Sequence, residues 1–150
     1  MKRFRFPLRP VAVLRAHQEM LAQEAFAAAV QTYVAAEEHL AGTRARLAQL
    51  ADAMQAHRTA PFSPSEAAAM FHAYRAECAE ELREERSVSE AREMMLKRRA
   101  EYFVAHRELK VVQRLEEKAR ASHRAEAARA EQAELDEFAG LRHARRPVLS

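Results

Sequence analysis

The sequence predicts an all-α fold: two long helices forming an antiparallel coiled-coil hairpin, the second longer than the first. Three observations predict it. Val11–Arg58 and Ser65–Ala139 contain no proline and one internal glycine, Gly42, so each run far exceeds the usual globular helix. The only break between them is Ala60-Pro61-Phe62-Ser63-Pro64. The composition is dominated by Ala, Glu, Arg and Leu with no Trp, which is that of long helices and coiled coils. At about 1.5 Å per residue the two runs would extend roughly 75 and 110 Å. The 150 residues are therefore read as one elongated domain: helix 1 over about 10–58, a turn over 59–64, helix 2 over about 65–139, and a basic tail over 140–150.

Helix 1 begins near Pro10, whose fixed φ suits a first turn. Val11, Leu14 and Leu21 open an apolar stripe. A seven-residue series then runs Phe26, Tyr33, Leu40, Leu47, Met54, with Ala29, Ala36, Thr43, Leu50 and His57 three residues on. This is a heptad seam with large side chains on one rail and mostly small ones on the other. The early stripe is out of register with the later series, which predicts a change of supercoil near residues 21–26. Gly42 weakens the helix by about 1 kcal/mol relative to alanine.

Helix 2 opens on Ser63-Pro64-Ser65-Glu66, a capping box with proline in the first turn. Its seam follows Tyr74, Glu81, Val88, Met95, Tyr102 and Leu109, with Leu82, Leu96 and Phe103 on an adjacent row. Residues 116–134 are almost free of large apolar groups, and Leu135, Phe138 and Leu141 form a last cluster. Gly140 is placed as the C-terminal cap residue, with Pro147 beyond.

So short a connection forces the helices antiparallel. Centring the turn near residue 62 sets Val11 opposite about Val112. Residues 115–139 are then expected to project beyond helix 1, unpaired within the chain. A lone helix of that length is marginal in water, so it either frays or is covered by a partner. At the other end Met54, Phe62, Phe71 and Tyr74 gather at the hairpin tip, to close the seam against water or to offer a contact patch.

Several function classes are disfavoured. No window is apolar enough to span a membrane, and the basic Met1–Pro7 start lacks a signal peptide's apolar core. Cys78 is the single cysteine, so no intrachain disulfide forms, and its place on the seam reads as packing. No glycine-rich phosphate loop, nucleophile elbow or metal-ligand spacing occurs. The seven histidines are scattered; His57 and His72 could approach one another near the turn, which by itself signifies nothing. Neither catalysis nor a metal or other cofactor is expected.

The net charge is +3 but uneven. Lys2, Arg3, Arg5, Arg9 and Arg15 face no acid in residues 2–15, and Arg142, Arg145 and Arg146 none after Glu137. Residues 77–93 lean acidic and 94–129 basic. Most of this is a solvated helix laced with i,i+4 pairs; the basic ends also suit an acidic partner surface. A basic coiled coil binding nucleic acid is an alternative, weakened because arginines alternate with glutamates and lack interleaved aromatic platforms. A self-associating structural coiled coil is another.

Three features resemble the FliJ family of the bacterial flagellar type III export apparatus. One is Phe4-Arg5-Phe6-Pro7-Leu8 followed by Val11, Leu14 and Arg15. Another is the hairpin layout with its turn two-fifths along. The third is Leu115-Glu116-Glu117-Lys118, an Arg/Glu/Ala-rich run, then Glu134-Leu135-Asp136-Glu137-Phe138-Ala139. The likeness covers nearly the whole chain; the stalk protein of virulence type III secretion systems is the closest alternative. The resemblance implies a non-enzymatic stalk that inserts into the ring of the flagellar export ATPase and promotes its assembly and activity. It implies contacts with the export gate membrane protein and flagellar export chaperones, at the cytoplasmic face of the inner membrane. Carried onto this chain, the ATPase contact falls on Phe4, Phe6, Leu135, Phe138, Arg142 and Arg145. The gate contact falls on Leu50, Phe71, Tyr74 and Cys78. Thr43 and Arg46 stand where relatives have larger residues, which departs from the family's gate surface.

Overall fold

In a computed structural model, which describes residues 3–59, 61 and 63–146, the chain is all-α with two helices packed as a helical hairpin. Helix α1 spans Arg9–His57 and α2 spans Pro64–Ala144. Lys2, Phe62 and Pro147, which the sequence assigns to the basic start, the tip and the segment past the C-cap, lie outside the described residues.

Each helix end has a local cause. At the start of α1, Arg9 N–H donates to Phe6 O at 3.2 Å and Ala12 N–H to Leu8 O at 2.9 Å. At its end the turns tighten: Arg58 and Thr59 N–H donate to Gln55 and Ala56 O, three residues back. The capping box of α2 forms in both directions. Glu66 N–H donates to Ser63 Oγ at 3.3 Å, and Ser63 N–H donates to Glu66 Oε2 at 3.4 Å, so two amides without intrahelical partners are satisfied.

The C-terminal end differs from expectation. Gly140 does not terminate α2: it has no positive φ, and the helix continues to Ala144. Glycine inside a helix costs only about 1 kcal/mol, and the residues after it propagate helix. Arg142 and His143 in the last turn also complement the negative end of the helix dipole.

The chain forms two compact units, residues 1–19 with 105–150, and residues 20–104. In the second unit α1 and α2 run antiparallel across the turn. Its covered positions on α1 include a row of Ala22, Phe26, Ala29, Tyr33, Ala36, Leu40, Thr43, Leu47, Leu50 and Met54, in alternating steps of four and three, with Ala25, Val30, Gly42 and Ala53 half-buried beside it. On α2 the same spacing runs from Ala67, Met70 and Tyr74 through Val88 and Met95 to Tyr102. The seam is thin. Ala29 and Leu40 are its buried apolar residues, and Thr43 is fully buried. Phe26 and Tyr102 stack across it with ring centres 6.2 Å apart. Around this narrow strip charged pairs join the helices: Arg44 binds Glu81 at 3.1 Å and Glu85 at 3.0 Å, and Arg46 binds Glu77 at 3.3 Å.

In the first unit Leu109 and Val112 are buried, and the α1 positions on the seam are Ala12, Arg15 and Glu19. This overturns the expected early stripe: Val11, Leu14 and Leu21 are exposed, and the covered rows of α1 step through 12, 15, 19, 22 and 26 without a change of register. Arg15 and Glu19 hold seam positions because each meets a partner, Glu108 at 2.6 Å and His106 Nδ1 at 3.1 Å. The adjacent row read on α2 is likewise not part of the seam. Leu82, Leu96 and Phe103 are exposed beside a regular row that includes Glu77, Glu81 and Glu84.

Candidate interaction surfaces

Near the turn, the side chains of Met54, His57, Arg58, Glu66, Ala67, Met70 and Phe71 line an open hollow. Helix α1 contributes its last turn and α2 its first two, both fixed by the capping box and the tight turns at Arg58 and Thr59. Phe71 is 53% exposed, with the Arg75 guanidinium 5.9 Å from its ring centre. Leu50, Tyr74 and Cys78 are half-buried on or beside the seam. Of the four residues assigned to the gate, only Phe71 therefore presents most of its side chain to solvent. Thr43 is fully buried and accepts a 2.9 Å hydrogen bond from Arg46 Nη2. Its small size suits the seam, and Arg46 stands at the surface bridging Thr43 and Glu77. His72 is exposed and His57 lines the hollow.

The electrostatics of this unit are those of surface pairs. Hydrogen bonds to Glu81, then Glu85, raise Arg44 above the usual arginine value. The Tyr33 phenol is raised above 10.0, first by its hydrogen bond to Glu37. Glu84 sits on the seam with Oε2 buried and without a hydrogen-bond partner among the described residues.

The terminal surface belongs to the other unit. Residues 3–8 precede α1 and lie along α2. Phe4 and Phe6 are half-buried, whereas Arg3 and Arg5 are exposed, the alternation of an extended segment with one face down. The Phe4 ring sits edge-on to His123 at 5.5 Å and under the Arg120 guanidinium at 4.8 Å, while Arg9 reaches Glu116 at 3.7 Å. Cover by the chain thus extends to His123 and, in part, Ala127. The expectation that everything from Leu115 is unpaired is corrected accordingly, because the segment before Pro10 supplies the partners. Residues 128–146 are exposed throughout; Leu135, Phe138 and Leu141 are 59, 64 and 54% exposed.

The six residues assigned to the ATPase do not form one patch. Phe4 packs on α2 at Arg120 and His123, and Phe6 is half-buried and lines a hollow with Phe4 and Arg120. Leu135, Phe138 and Arg142 stand on the exposed end of α2 with Arg145 just past it, and Phe138 is about 22 Å further along the helix axis than His123. Sequence reasoning missed Arg120 and His123 as the seat of Phe4. The available signal was the period-two alternation of Arg3-Phe4-Arg5-Phe6, which suits a segment that lays one face down. Among the described residues no group of three or more His, Cys, Asp or Glu is arranged to hold a metal. No helix there is long and apolar enough to cross a membrane.

The arrangement is one of helix surfaces suited to binding. Residues 4–147 match the family described as flagellar FliJ protein. The chain belongs to the FliJ family. That family is a non-enzymatic component of the type III export apparatus. No curated protein matches the chain. Among solved structures it is similar to that of a putative YscO homolog, CT670, from Chlamydia trachomatis, at 20% identity over 95% of this chain and 96% of that one. The TM-score is 0.41, too low to carry an argument about this chain.

Proposed function

We propose that this FliJ-family chain is the stalk of a flagellar export ATPase, promoting ring assembly and turnover through the exposed end of α2. Family membership over residues 4–147 carries the reading. The row Leu135, Phe138, Leu141 with Arg142 and Arg145 beside it supports where the ring binds: it is apolar, basic and uncovered by the chain itself. Sparse contacts suit a component that must turn or slide within a ring. The hollow around Phe71 near the turn is the proposed gate contact, with Leu50, Tyr74 and Cys78 shaping it from the seam. Export chaperones are the third class of partner, and the work is done at the cytoplasmic face of the inner membrane.

The test is ATP hydrolysis and ring formation by the cognate export ATPase with and without this chain. Stimulation of both is expected; no change in either would overturn the reading. Truncation after Ala127 removes the exposed end while keeping His123 and Arg120 for Phe4, and should abolish the stimulation. Phe71→Ala with Tyr74→Ala should spare stimulation and weaken binding to the gate protein.

A further inference from the structure

The exposed end of α2 carries a pattern beyond an apolar row. At 3.6 residues per turn, Glu131, Glu134, Leu135, Phe138, Leu141 and Arg142 fall on one face of α2 about 120° wide, and Arg145, one residue past the end of α2, follows the same face because its N–H still donates to Leu141 O at 3.2 Å. The pattern is symmetric about Phe138. Three and four positions before it stand Leu135 and Glu134; three and four after it stand Leu141 and Arg142; seven before and seven after stand Glu131 and Arg145. All seven are exposed. Acid occupies one half of the face and base the other, with the aromatic at the centre.

We propose that this face binds a second copy of the same chain, antiparallel, about a two-fold axis through Phe138. In that register Phe138 meets its own copy, and Leu135 of one chain lies level with Leu141 of the other. Glu131 and Glu134 lie against Arg145 and Arg142. A two-fold interface must be self-complementary, each residue finding its symmetric counterpart, and this face meets that condition in both polarity and charge. The parallel alternative sets glutamate against glutamate and arginine against arginine, which is repulsive; flanking charges choose orientation in this way in coiled coils. The inference does not depend on the export reading. Where both hold, self-association covers the end of α2 that the ring would bind.

The interface is small. A few apolar side chains on each chain fall well short of the 20–30 residues a side of a standard interface, so the pair is weak, concentration-dependent and salt-sensitive. Sedimentation equilibrium of the full chain should show the mass rising from 17.1 kDa toward that of two chains between about 10 µM and 1 mM, the range of affinities such an interface supports. The rise should shrink in high salt. Phe138→Glu should lose it.

The charge pattern is tested by swaps. A chain carrying E131R and E134R has an all-basic face, and one carrying R142E and R145E an all-acidic face. Each alone should stay at the mass of one chain, and an equimolar mixture should associate. Circular dichroism checks that each variant keeps the helix content of the parent. Should a swap lose helix, the salt dependence of the parent decides instead. A parent chain that stays at 17.1 kDa at every concentration overturns the proposal. So does continued self-association of both swapped chains, or a parent association indifferent to salt and to Phe138→Glu.

Discussion

Single residues on the seam set much of the stability of so thin an interior. Glu84 is the clearest case, since a buried carboxylate oxygen without a hydrogen-bond partner among the described residues costs its desolvation. Glu84→Leu should raise stability by about 1 kcal/mol, measured as a higher denaturation midpoint in urea; an unchanged or lower midpoint would show that water or a neighbour satisfies that oxygen. Thr43 is the opposite case: its buried hydroxyl accepts from Arg46, so the polar atom is satisfied inside the seam. Tyr33 supplies a pH test. Its phenol donates to Glu37 and is raised above 10.0. The raised value means the bond's contribution is complete below that ordinary pKa and is lost as pH rises through the shifted one. Phenolate absorbance should show a late-titrating step, and Tyr33→Phe should remove it. If the late step survives the substitution, the assignment fails.

At the scale of the element, both helices are continuous because nothing inside them stops propagation. Gly42 lies in mid-helix without a positive φ, and an added Cβ there would meet only the tip of Arg46 at 3.7 Å. Gly42→Ala should therefore stabilise by about 0.5–1 kcal/mol, read as a higher thermal midpoint; a drop would mean the seam resists even a methyl at that place. Ser63→Ala removes one half of the capping box and should cost about 1 kcal/mol, with loss of helix signal concentrated in the first turns of α2. The starts of both helices were legible because proline and the Ser-x-x-Glu spacing act locally. The end of α2 was not, since Gly140 becomes a cap only in a left-handed conformation and nothing local imposes one. The seam register was half legible. The rail Phe26, Tyr33, Leu40, Leu47, Met54 announces itself by size, whereas the covered row of Ala12, Arg15 and Glu19 is small or charged and gives no hydropathy signal.

For the whole molecule, the two units are unequal in what protects their backbone. The unit of residues 20–104 buries Ala29, Leu40 and Thr43 and is ringed by interhelical arginine–glutamate pairs. The other buries Leu109 and Val112 and is extended toward His123 by the Phe4 contacts. Residues 128–146 have no such cover. Amide exchange should therefore be slowest along the two seams and fastest, among helical residues, beyond Ala127. Protection there equal to that of the seams in a dilute sample would contradict this picture. Phe4→Ala should extend the fast-exchanging region back toward Arg120 and leave residues 20–104 unchanged.

The sequence by itself determined the fold class, the two helices, the turn and the family, because proline placement, the capping box and the end motifs all act locally or by period. Only the tertiary structure decided which faces are inside. In a seam this narrow, hydrophobicity does not separate the covered row from its exposed neighbours; the deciding contacts are pairs such as Arg15 with Glu108 and Glu19 with His106, made between residues far apart in sequence. The same reason hid the seat of Phe4 on Arg120 and His123, and it left Leu135, Phe138 and Leu141 as the apolar row that the chain does not cover.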